Sequence, residues 1–279
     1  MAKVSELLSL SAKLHATSDS PQLDCELLLC HVLEVDRTWL RTWPESHVSS
    51  AQKAQFTSLL DQRVDGTPIA YLVGSRGFWS MDLKVSTETL IPRPETEILI
   101  EIALSLRLPG RGCGLDLGTG TGAIALALAS ERRDMQWVAV DLQPGAVELA
   151  QANRDYKQLT NVHIMQSSWF DSLKAPYNAF DIIVSNPPYI ATDDPHLAQG
   201  DVRFEPASAL VSGVDGLDDI KIIISQSPAY LNTDGWLLIE HGYNQGQAVR
   251  GLLLDTGFSE VATHKDYNHL DRVTLGQWR

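Results

Sequence analysis

Apolar residues follow two different spacings along the chain. The place where the spacing changes marks the boundary between two predicted domains. Up to about residue 66 they recur at the three- and four-residue intervals of helices, as between Leu23 and Leu33 and again between Phe56 and Val64. Ser20-Pro21 and Ser49-Ser50 are typical helix starts. This pattern predicts a small all-helical N-terminal domain of four or five short helices, which we assign to residues 1–70 and expect to dock a substrate.

A linker is predicted over residues 71–92. The stretch from Phe78 to Val85 alternates apolar and polar residues, which is typical of a strand or hairpin. The prolines of Ile91-Pro92-Arg93-Pro94 then favour an extended backbone, and the acidic residues that follow suit the first turn of a helix. We expect that helix over about residues 95–107.

Beyond residue 112, short apolar runs alternate with helical segments. The runs GCGLDL, WVAVD, VHIMQ, FDIIVSN and GWLLIEH are predicted strands. A parallel crossover needs a dozen or more residues, so the helices between these strands indicate parallel pairing. Strands near 258–264 and 271–276 are expected to close the sheet as a hairpin. The predicted fold class of residues 93–279 is therefore α/β, a doubly wound, mostly parallel, seven-stranded Rossmann-like sheet.

Charge and cysteine content limit the partners, the metal content and the cellular compartment that we expect. Asp and Glu number 35 against 22 Lys and Arg, a formal net charge of -13, so the surface should repel a phosphate backbone. Cys25, Cys30 and Cys113 form neither a CxxC pair nor a metal-ligand spacing, which favours a reduced compartment and no metal. No apolar run approaches the roughly 18 residues of a membrane span. We expect a cytoplasmic protein without a membrane or direct nucleic-acid partner.

A glycine-rich turn, Asp116 to Gly122, lies between the first predicted strand and the first helix of the sheet. Glycines let the backbone turn sharply and let a ligand approach the main chain. Gly118, Gly120 and Ala123 also fit a dinucleotide fingerprint, so the motif alone is ambiguous. Asp141 ends the second strand at about the spacing expected of a carboxylate that bonds a ribose hydroxyl. A ligand containing a nucleoside is predicted, the alternative being a tight turn without a ligand.

Aromatic and amide groups follow the next two strands. Trp169 stands after the third strand, where it could stack against a purine or pack on a helix. Asn186-Pro187-Pro188-Tyr189 follows the fourth strand, and its prolines favour an extended backbone and offer no N–H.

Two acceptors of this segment, the Asn186 side-chain oxygen and the Pro187 carbonyl, suit both hydrogens of a planar NH2 group. Acceptors that fit a more tetrahedral nitrogen would favour the transition state of its alkylation. Tyr189 is expected to stack on the target group. The alternative is a rigid turn that merely ends the strand.

These motifs together resemble the class I S-adenosylmethionine-dependent methyltransferases. More narrowly, the combination of IPRPETE, DLGTGTG, SNPPYI and FEPASAL resembles the PrmC/HemK family of release factor glutamine N5-methyltransferases. The glycine turn and NPPY occur in other methyltransferases, whereas IPRPETE and FEPASAL are far more specific. The resemblance covers nearly the whole chain.

The resemblance implies a division of roles among these residues. Gly118, Thr119, Gly120, Thr121 and Gly122 would wrap S-adenosylmethionine, with Asp141 on the ribose, Trp169 by the adenine and Asn186 beside the cofactor. Asn186, Pro187, Pro188 and Tyr189 would bind the glutamine of the Gly-Gly-Gln motif in a class 1 release factor, with Asn186, Pro187 and Tyr189 catalytic. Direct SN2 transfer would yield N5-methylglutamine and S-adenosylhomocysteine, without a metal.

Some residues and the substrate class allow more than one interpretation. Ser167 and Ser168 stand where many methyltransferases carry an acidic residue that contacts the adenine amino group. Arg93 could face the active site, an acidic partner surface or a joint between domains, and for Glu205 we favour a role in fixing a loop. NPPY would also suit the amino group of adenine, so an N6-adenine nucleic-acid methyltransferase is the alternative function; the negative charge and the lack of a large insert after NPPY disfavour it.

Overall fold

The computed structural model of the chain describes residues 2–175, 177 and 179–279, which fall into two compact units. The first consists of Met1–Ser75 together with Pro195–Phe204, and the second of Arg76–Asp194 and Glu205–Arg279. Among the residues so described, no helix combines the length and the apolar character that a bilayer crossing requires.

The first unit is built mainly from short helices around an apolar core. They are α1 (Val4–Leu8), α2 (Pro21–Leu33), α3 (Arg37–Thr42), α4 (Ser50–Val64) and α5 (Ile69–Val73). Ser20 and Ser49 are the N-caps of α2 and α4, so both predicted helix starts are confirmed. The all-helical prediction is corrected in one detail, because β1 (Ala2–Lys3) pairs with β2 (His47–Val48).

A buried arginine, Arg63, forms an ion pair with the Pro195–Phe204 segment of this unit. Arg63 Nε lies 2.7 Å from Asp24 Oδ2, and Arg63 Nη1 lies 2.9 Å from Asp201 Oδ1. Removal of one partner would leave a charge buried without compensation, so the pair constrains which segments pack together. Such a contact is remote in sequence, and apolar periodicity does not reveal it. The domain boundaries predicted at residues 70 and 92 stay predictions.

A two-stranded sheet of β3 (Ser75–Phe78) and β4 (Met81–Lys84) precedes the main sheet, as the alternating pattern predicted. A 3-10 turn, Pro94–Thr96, then leads into α6 (Glu97–Ser105). The helix is thus shorter than the predicted 95–107, because its first residues form this 3-10 turn and the backbone becomes extended at Leu106.

Seven strands form the main sheet of the second unit. They are β5 (Cys113–Leu117), β6 (Gln136–Asp141), β7 (Val162–Gln166), β8 (Phe180–Ser185), β9 (Leu231–Glu240), β10 (Ser259–Lys265) and β11 (Asp271–Gln277). Their order is β10-β11-β9-β8-β5-β6-β7, and β11 is antiparallel to both of its neighbours while β9, β8, β5, β6 and β7 are parallel. The predicted α/β fold class and its closing hairpin are confirmed.

Helices cover both faces of this sheet. On one face lie α6, α7 (Ala123–Glu131) and α8 (Pro144–Lys157), and on the other lie α9 (Asp218–Gln226) and α10 (Gly246–Thr256). Successive residues of a strand point to opposite faces, so Trp137 joins the first core and Val138 the second. Because both faces of the sheet are buried, its parallel strands have continuous apolar runs in the sequence.

The strand register brings three chain segments together at the carboxyl edge of the sheet. Leu117 of β5 pairs with Ser185 of β8, and Ser185 pairs with Ile239 of β9. Asn186 and Glu240 therefore leave the sheet side by side, next to the glycine turn that follows Leu117. The chain order reverses between β5 and β8, and ligands of open α/β sheets bind at such a switch point.

Candidate functional site

A pocket opens at this carboxyl edge, within the second unit. Its empty volume is about 1090 Å³, counting the solvent at its mouth. The lining comes from Phe78, from stretches of 88–96, 118–124, 141–146, 167–169 and 186–188, and from parts of 208–219. The strand ends of β5, β6, β7 and β8 thus all contribute, as expected for this fold.

The structure brings most of the predicted site residues together in this pocket. Those that line it are Gly118, Thr119, Gly120, Thr121, Asp141, Trp169, Asn186 and Pro188. Gly122, Pro187 and Tyr189, which also belong to the described part of the chain, lie outside its lining. Three motifs from distant parts of the sequence therefore meet around one space, whereas the role of each residue stays a prediction.

The glycines of the turn have left-handed backbones. Gly118 has φ 71°, and a Cβ placed on it would lie 3.3 Å from Trp169 Cζ3. Gly122 has φ 86° and precedes α7, where a Cβ would lie 3.0 Å from Leu126 Cδ1. The first position thus keeps the main chain open toward the pocket, and the second lets the helix begin close to its neighbours.

Asp141 braces this turn. Its Oδ2 accepts a hydrogen bond from the Gly120 N–H and its Oδ1 one from the Gln143 N–H, each 2.9 Å long. Burial raises the pKa of Asp141, and the two backbone N–H groups oppose that shift. A carboxylate has about four acceptor positions, so both oxygens keep capacity for a ligand's hydroxyl groups.

A second carboxyl lies beneath the turn. Asp116 is fully buried in β5, and its Oδ2 accepts from Thr119 Oγ1 at 2.6 Å and from the Ala125 N–H at 3.2 Å. Its Oδ1 has no hydrogen-bond partner among the described residues. Burial raises the pKa of Asp116 to about 7. Asp116 could have been singled out from the sequence, because it is the charged residue inside the apolar run GCGLDL, but no role was assigned to it.

Trp169 and its neighbours form a strained turn after β7. Trp169 has φ 46°, a conformation that bulky residues seldom adopt. Ser167 is buried, and its Oγ donates to the Trp169 carbonyl at 2.9 Å and accepts from the Ser172 N–H at 3.0 Å. Ser167 therefore holds the turn, and it lines the pocket together with Ser168 and Trp169.

The Asn186–Tyr189 segment extends from β8 with its two ends held by different partners. Asn186 Nδ2 donates to Thr96 Oγ1 at 3.2 Å, and the amide oxygen accepts no hydrogen bond from the residues that the structure describes. The Tyr189 hydroxyl donates to Glu240 Oε1 over a long 3.5 Å. Burial, and then Glu240, raise the pKa of Tyr189, so its hydroxyl stays neutral. Stacking of Tyr189 on a target group stays a prediction.

Comparison with known proteins now decides the family. Residues 6–74 match the PrmC N-terminal domain family, and residues 95–210 match the methyltransferase small domain family. The chain is 52% identical over 271 residues to a release factor glutamine methyltransferase of Yersinia pestis, covering 97% of each chain. It is also 52% identical over 261 residues to that of Aliivibrio fischeri, covering 94% of this chain and 92% of the relative. The chain belongs to the release factor glutamine methyltransferase family.

Solved structures support the fold at greater distance. A methyltransferase from Pyrococcus furiosus resembles this chain with a TM-score of 0.55 at 15% sequence identity, covering 79% of this chain and 98% of that one. At that identity the likeness concerns the fold alone. The family resemblance read from the sequence motifs is confirmed, and with it the methyltransferase class of the enzyme.

Arg93 and Glu205, left open by the sequence, pair with each other in this family member. Arg93 Nη2 lies 2.6 Å from Glu205 Oε1, and the Glu205 side chain is fully buried. Arg93 also lines the pocket. The pair joins the IPRPETE segment to the FEPASAL segment beside the site, which agrees with the loop-fixing role favoured for Glu205.

Sequence reasoning missed two polar residues behind Asn186. Thr96 is buried and accepts the Asn186 hydrogen bond, and Glu240 is buried at the end of β9. Burial raises the pKa of Glu240 to about 7, while the Thr96 hydroxyl and Arg272 lower it. A charged residue that ends an apolar strand next to NPPY was the available signal for Glu240. Thr96 gave none, because it lies 90 residues from Asn186.

No grouping of three or more His, Cys, Asp or Glu side chains within residues 2–175, 177 and 179–279 has the arrangement of a metal site.

Proposed function

We propose that this protein transfers the methyl group of S-adenosylmethionine to the side-chain amide nitrogen (N5) of the glutamine in the Gly-Gly-Gln motif of class 1 release factors. The observation that supports this most is the position of Asn186. Its amide oxygen is the uncommitted acceptor at the edge of a pocket lined by the glycine turn. The names of relatives that match over nearly the full chain point to the same substrate.

The pocket residues fit a ligand of this type. S-adenosylmethionine supplies a methyl group activated by a positively charged sulfur. Gly118 leaves the main chain open where a Cβ would crowd Trp169, so an extended ligand can lie against the turn. Asp141 offers acceptor positions for ribose hydroxyls, and Trp169 offers an aromatic face for a purine. The Asp141 carboxylate adds negative charge beside the turn, which favours a cationic ligand.

Asn186 and Pro187 would hold the substrate amide. A glutamine NH2 group has two hydrogens, and the Asn186 side-chain oxygen and Pro187 carbonyl are two acceptors on one stiff segment. An amide nitrogen is a poor nucleophile because its lone pair is delocalised over the planar group. Acceptors that fit a pyramidal nitrogen better than a planar one lower the barrier by binding the transition state more tightly. The proton can leave the nitrogen after transfer, so this arrangement needs no general base.

The electrostatic balance disfavours a nucleic-acid substrate. Affinity for a nucleic acid depends on neutralising its phosphates with Lys and Arg, and this chain carries a formal charge of -13. The acceptor arrangement itself would hold an adenine amino group equally well. An N6-adenine activity is therefore the outcome that the test must separate from glutamine methylation.

Label transfer from radioactive S-adenosylmethionine tests the proposal. One arm contains a class 1 release factor, a second the same factor with the Gly-Gly-Gln glutamine replaced by alanine, and a third single-stranded and duplex DNA. We expect labelling in the first arm and only background in the others. Equal labelling of the glutamine-less factor, or labelling of the DNA, would contradict the proposed substrate.

A further inference from the structure

Backbone hydrogen bonds hold the chain just after the Asn186–Tyr189 segment. The Ile190 N–H donates to the Leu210 carbonyl at 2.8 Å, and the Ile190 carbonyl accepts from the Ser212 N–H at 3.0 Å. The two prolines inside the segment have no N–H, so they cannot donate such bonds. The segment is therefore held by β8 on one side and by the contacts that begin at Tyr189 on the other.

A single buried side chain, that of Gln245, binds the carbonyl at the end of the segment. Gln245 is the N-cap residue of α10, and its Nε2 donates to the Tyr189 carbonyl at 3.0 Å. The same NH2 group lies 3.2 Å from the Asp215 carbonyl and 3.3 Å from the Gly216 carbonyl. Its Oε1 accepts from the Gly242 N–H at 2.8 Å. One side-chain amide thus joins the Asn186–Tyr189 segment to the loop before α9 and to the residues between β9 and α10.

The loop before α9 reaches this amide because it carries a glycine there. Gly216 has φ 72°, and a Cβ placed on it would lie 2.2 Å from the Tyr189 oxygen and 2.8 Å from Gln245 Nε2. A side chain at this position would press on the Tyr189 carbonyl. The absence of a Cβ therefore lets one NH2 group lie within hydrogen-bonding distance of three carbonyls.

The bonds of Gln245 bear on the acceptor groups of the site. Gln245 is 8% exposed, and buried polar groups are held in place by their hydrogen-bond partners. The Pro187 carbonyl, one of the two acceptors proposed for the substrate amide, precedes Tyr189 on a stretch whose prolines restrict backbone rotation. A displacement of the Tyr189 carbonyl is therefore passed along the backbone to the Pro187 carbonyl.

We propose that Gln245 is a positioning residue that fixes the carboxyl end of the Asn186–Tyr189 segment and thereby sets the place of the Pro187 carbonyl. Gln245 belongs to the described residues and lies outside the pocket lining, so it acts through the backbone of the segment. The inference rests on the proposed function for its effect on catalysis. Its structural part, the bond from Gln245 to the Tyr189 carbonyl, exists without substrate and can be measured separately.

Gln245→Met tests this role in turnover. Methionine keeps the length of the side chain and removes its hydrogen bonds. We expect kcat and kcat/KM to fall together by about 10- to 100-fold, because misplacing a reacting group by about 1 Å can cost a factor of about 100. The Kd for S-adenosylmethionine should change little. Gln247→Met, at an exposed position in the first turn of α10, is the matched control and should turn over as the native chain does. Native turnover by Gln245→Met, or an equal loss of donor affinity, would overturn the inference.

Gly216→Ala perturbs the same contact while Gln245 stays in place. The added Cβ would press on the Tyr189 carbonyl, so we expect kcat to fall while the Kd for S-adenosylmethionine changes little. Gly251→Ala, within α10, is the control, because a Cβ at that position meets no atom within 4 Å. This variant decides the question if Gln245→Met does not fold, and native turnover by Gly216→Ala would contradict the inference.

A spectroscopic measurement separates this inference from the proposed function. The dipeptide Tyr-Ile occurs once in the sequence, at Tyr189-Ile190. A chain labelled with ¹³C at tyrosine carbonyls and ¹⁵N at isoleucine therefore gives one signal in an experiment that correlates a carbonyl with the amide that follows it. A carbonyl that loses a hydrogen bond shifts to lower frequency. We expect this shift, and faster solvent exchange of the Ile190 N–H, in Gln245→Met and not in Gln247→Met.

This measurement also has outcomes that decide against the inference. An unchanged signal in Gln245→Met would overturn it, and so would fast exchange of the Ile190 N–H in the native chain, which needs no variant to fold. If the expected pattern appears while the native chain does not label release factor, the proposed function fails and the positioning of the segment by Gln245 stands.

Discussion

The two chain segments that frame the pocket follow neighbouring parallel strands, yet they are built in opposite ways. The turn after β5 is rich in glycine, has left-handed backbones and is braced by the carboxylate of Asp141. The segment after β8 is rich in proline and carries the Asn186 amide, held from behind by Thr96. One segment presents open main chain, and the other presents a single oriented side chain.

This difference matches two kinds of ligand. A main chain without Cβ atoms suits an extended ligand that lies against it, whereas a stiff segment with few donors suits recognition of one NH2 group. We infer that the turn after β5 holds the methyl donor and the segment after β8 holds the acceptor. If this division is correct, changes in one segment should alter donor affinity and changes in the other should alter turnover.

Asn186→Ala should have the largest effect. Removing the amide oxygen that presents to the substrate should lower kcat about 100- to 1000-fold, as loss of one preorganised hydrogen-bonding group at a transition state does. Isothermal titration calorimetry should show S-adenosylmethionine binding within a few-fold of the native chain. A variant that turned over normally, or that lost donor binding altogether, would break the division between the two segments.

Gly118→Val should act on the opposite side. A β-branched residue at φ 71° is strained by about 1–2 kcal/mol, and its Cβ would lie 3.3 Å from Trp169 Cζ3. We expect the Kd for S-adenosylmethionine to rise about 10- to 100-fold. Gly110→Ala, at an exposed position outside the pocket lining, is the control and should bind the donor as the native chain does. Unchanged donor affinity in Gly118→Val would contradict the role of the turn.

Trp169→Ala should weaken donor binding to a smaller degree. Stacking of a base on an aromatic side chain contributes about 1–3 kcal/mol, so we expect the Kd for S-adenosylmethionine to rise about 10-fold, and less in Trp169→Phe. Calorimetry at matched concentrations measures both variants. Equal affinity in native protein and Trp169→Ala would show that Trp169 only packs in its turn, which was the alternative role for it.

Glu240→Gln should stabilise the fold, most strongly at neutral and higher pH. Burial raises the pKa of Glu240 from 4.5 to about 7, so the folded chain holds this proton more tightly than the unfolded chain. The stability from that proton is fully present below pH 4.5 and is lost as pH rises through about 7. We expect Glu240→Gln to raise the free energy of unfolding by about 1 kcal/mol or more at pH 8 and by much less at pH 5.5. Urea denaturation at both pH values measures it, and a pH-independent difference would refute a buried charge at this position.

Most of the fold could be predicted from the sequence, because the patterns that indicate helices and strands are local. Apolar runs such as FDIIVSN and GWLLIEH marked β8 and β9, and parallel pairing then brought their polar ends to one edge. The glycine turn, Asp141 and Asn186 were found for the same reason. Each is a polar or conformationally special residue at the end of a predicted strand.

The side-chain contacts that the sequence did not predict join residues that lie far apart in the chain. The Asn186 to Thr96 hydrogen bond spans 90 positions, and the Arg63 to Asp201 ion pair that places Pro195–Phe204 in the first unit spans 138. The direction of the Tyr189 hydroxyl toward Glu240 follows from the register of β8 and β9, which a single sequence does not specify. Periodicity identifies elements, whereas side-chain partners follow from their packing.

Tandem mass spectrometry can locate the transferred methyl group on the substrate. The native chain is incubated with S-adenosylmethionine carrying a trideuterated methyl group and a class 1 release factor, and the peptide containing Gly-Gly-Gln is fragmented. We expect one labelled methyl group on the glutamine side-chain nitrogen, and none when Asn186→Ala replaces the native chain. Label on any other residue of the peptide, or equal labelling by Asn186→Ala, would contradict it.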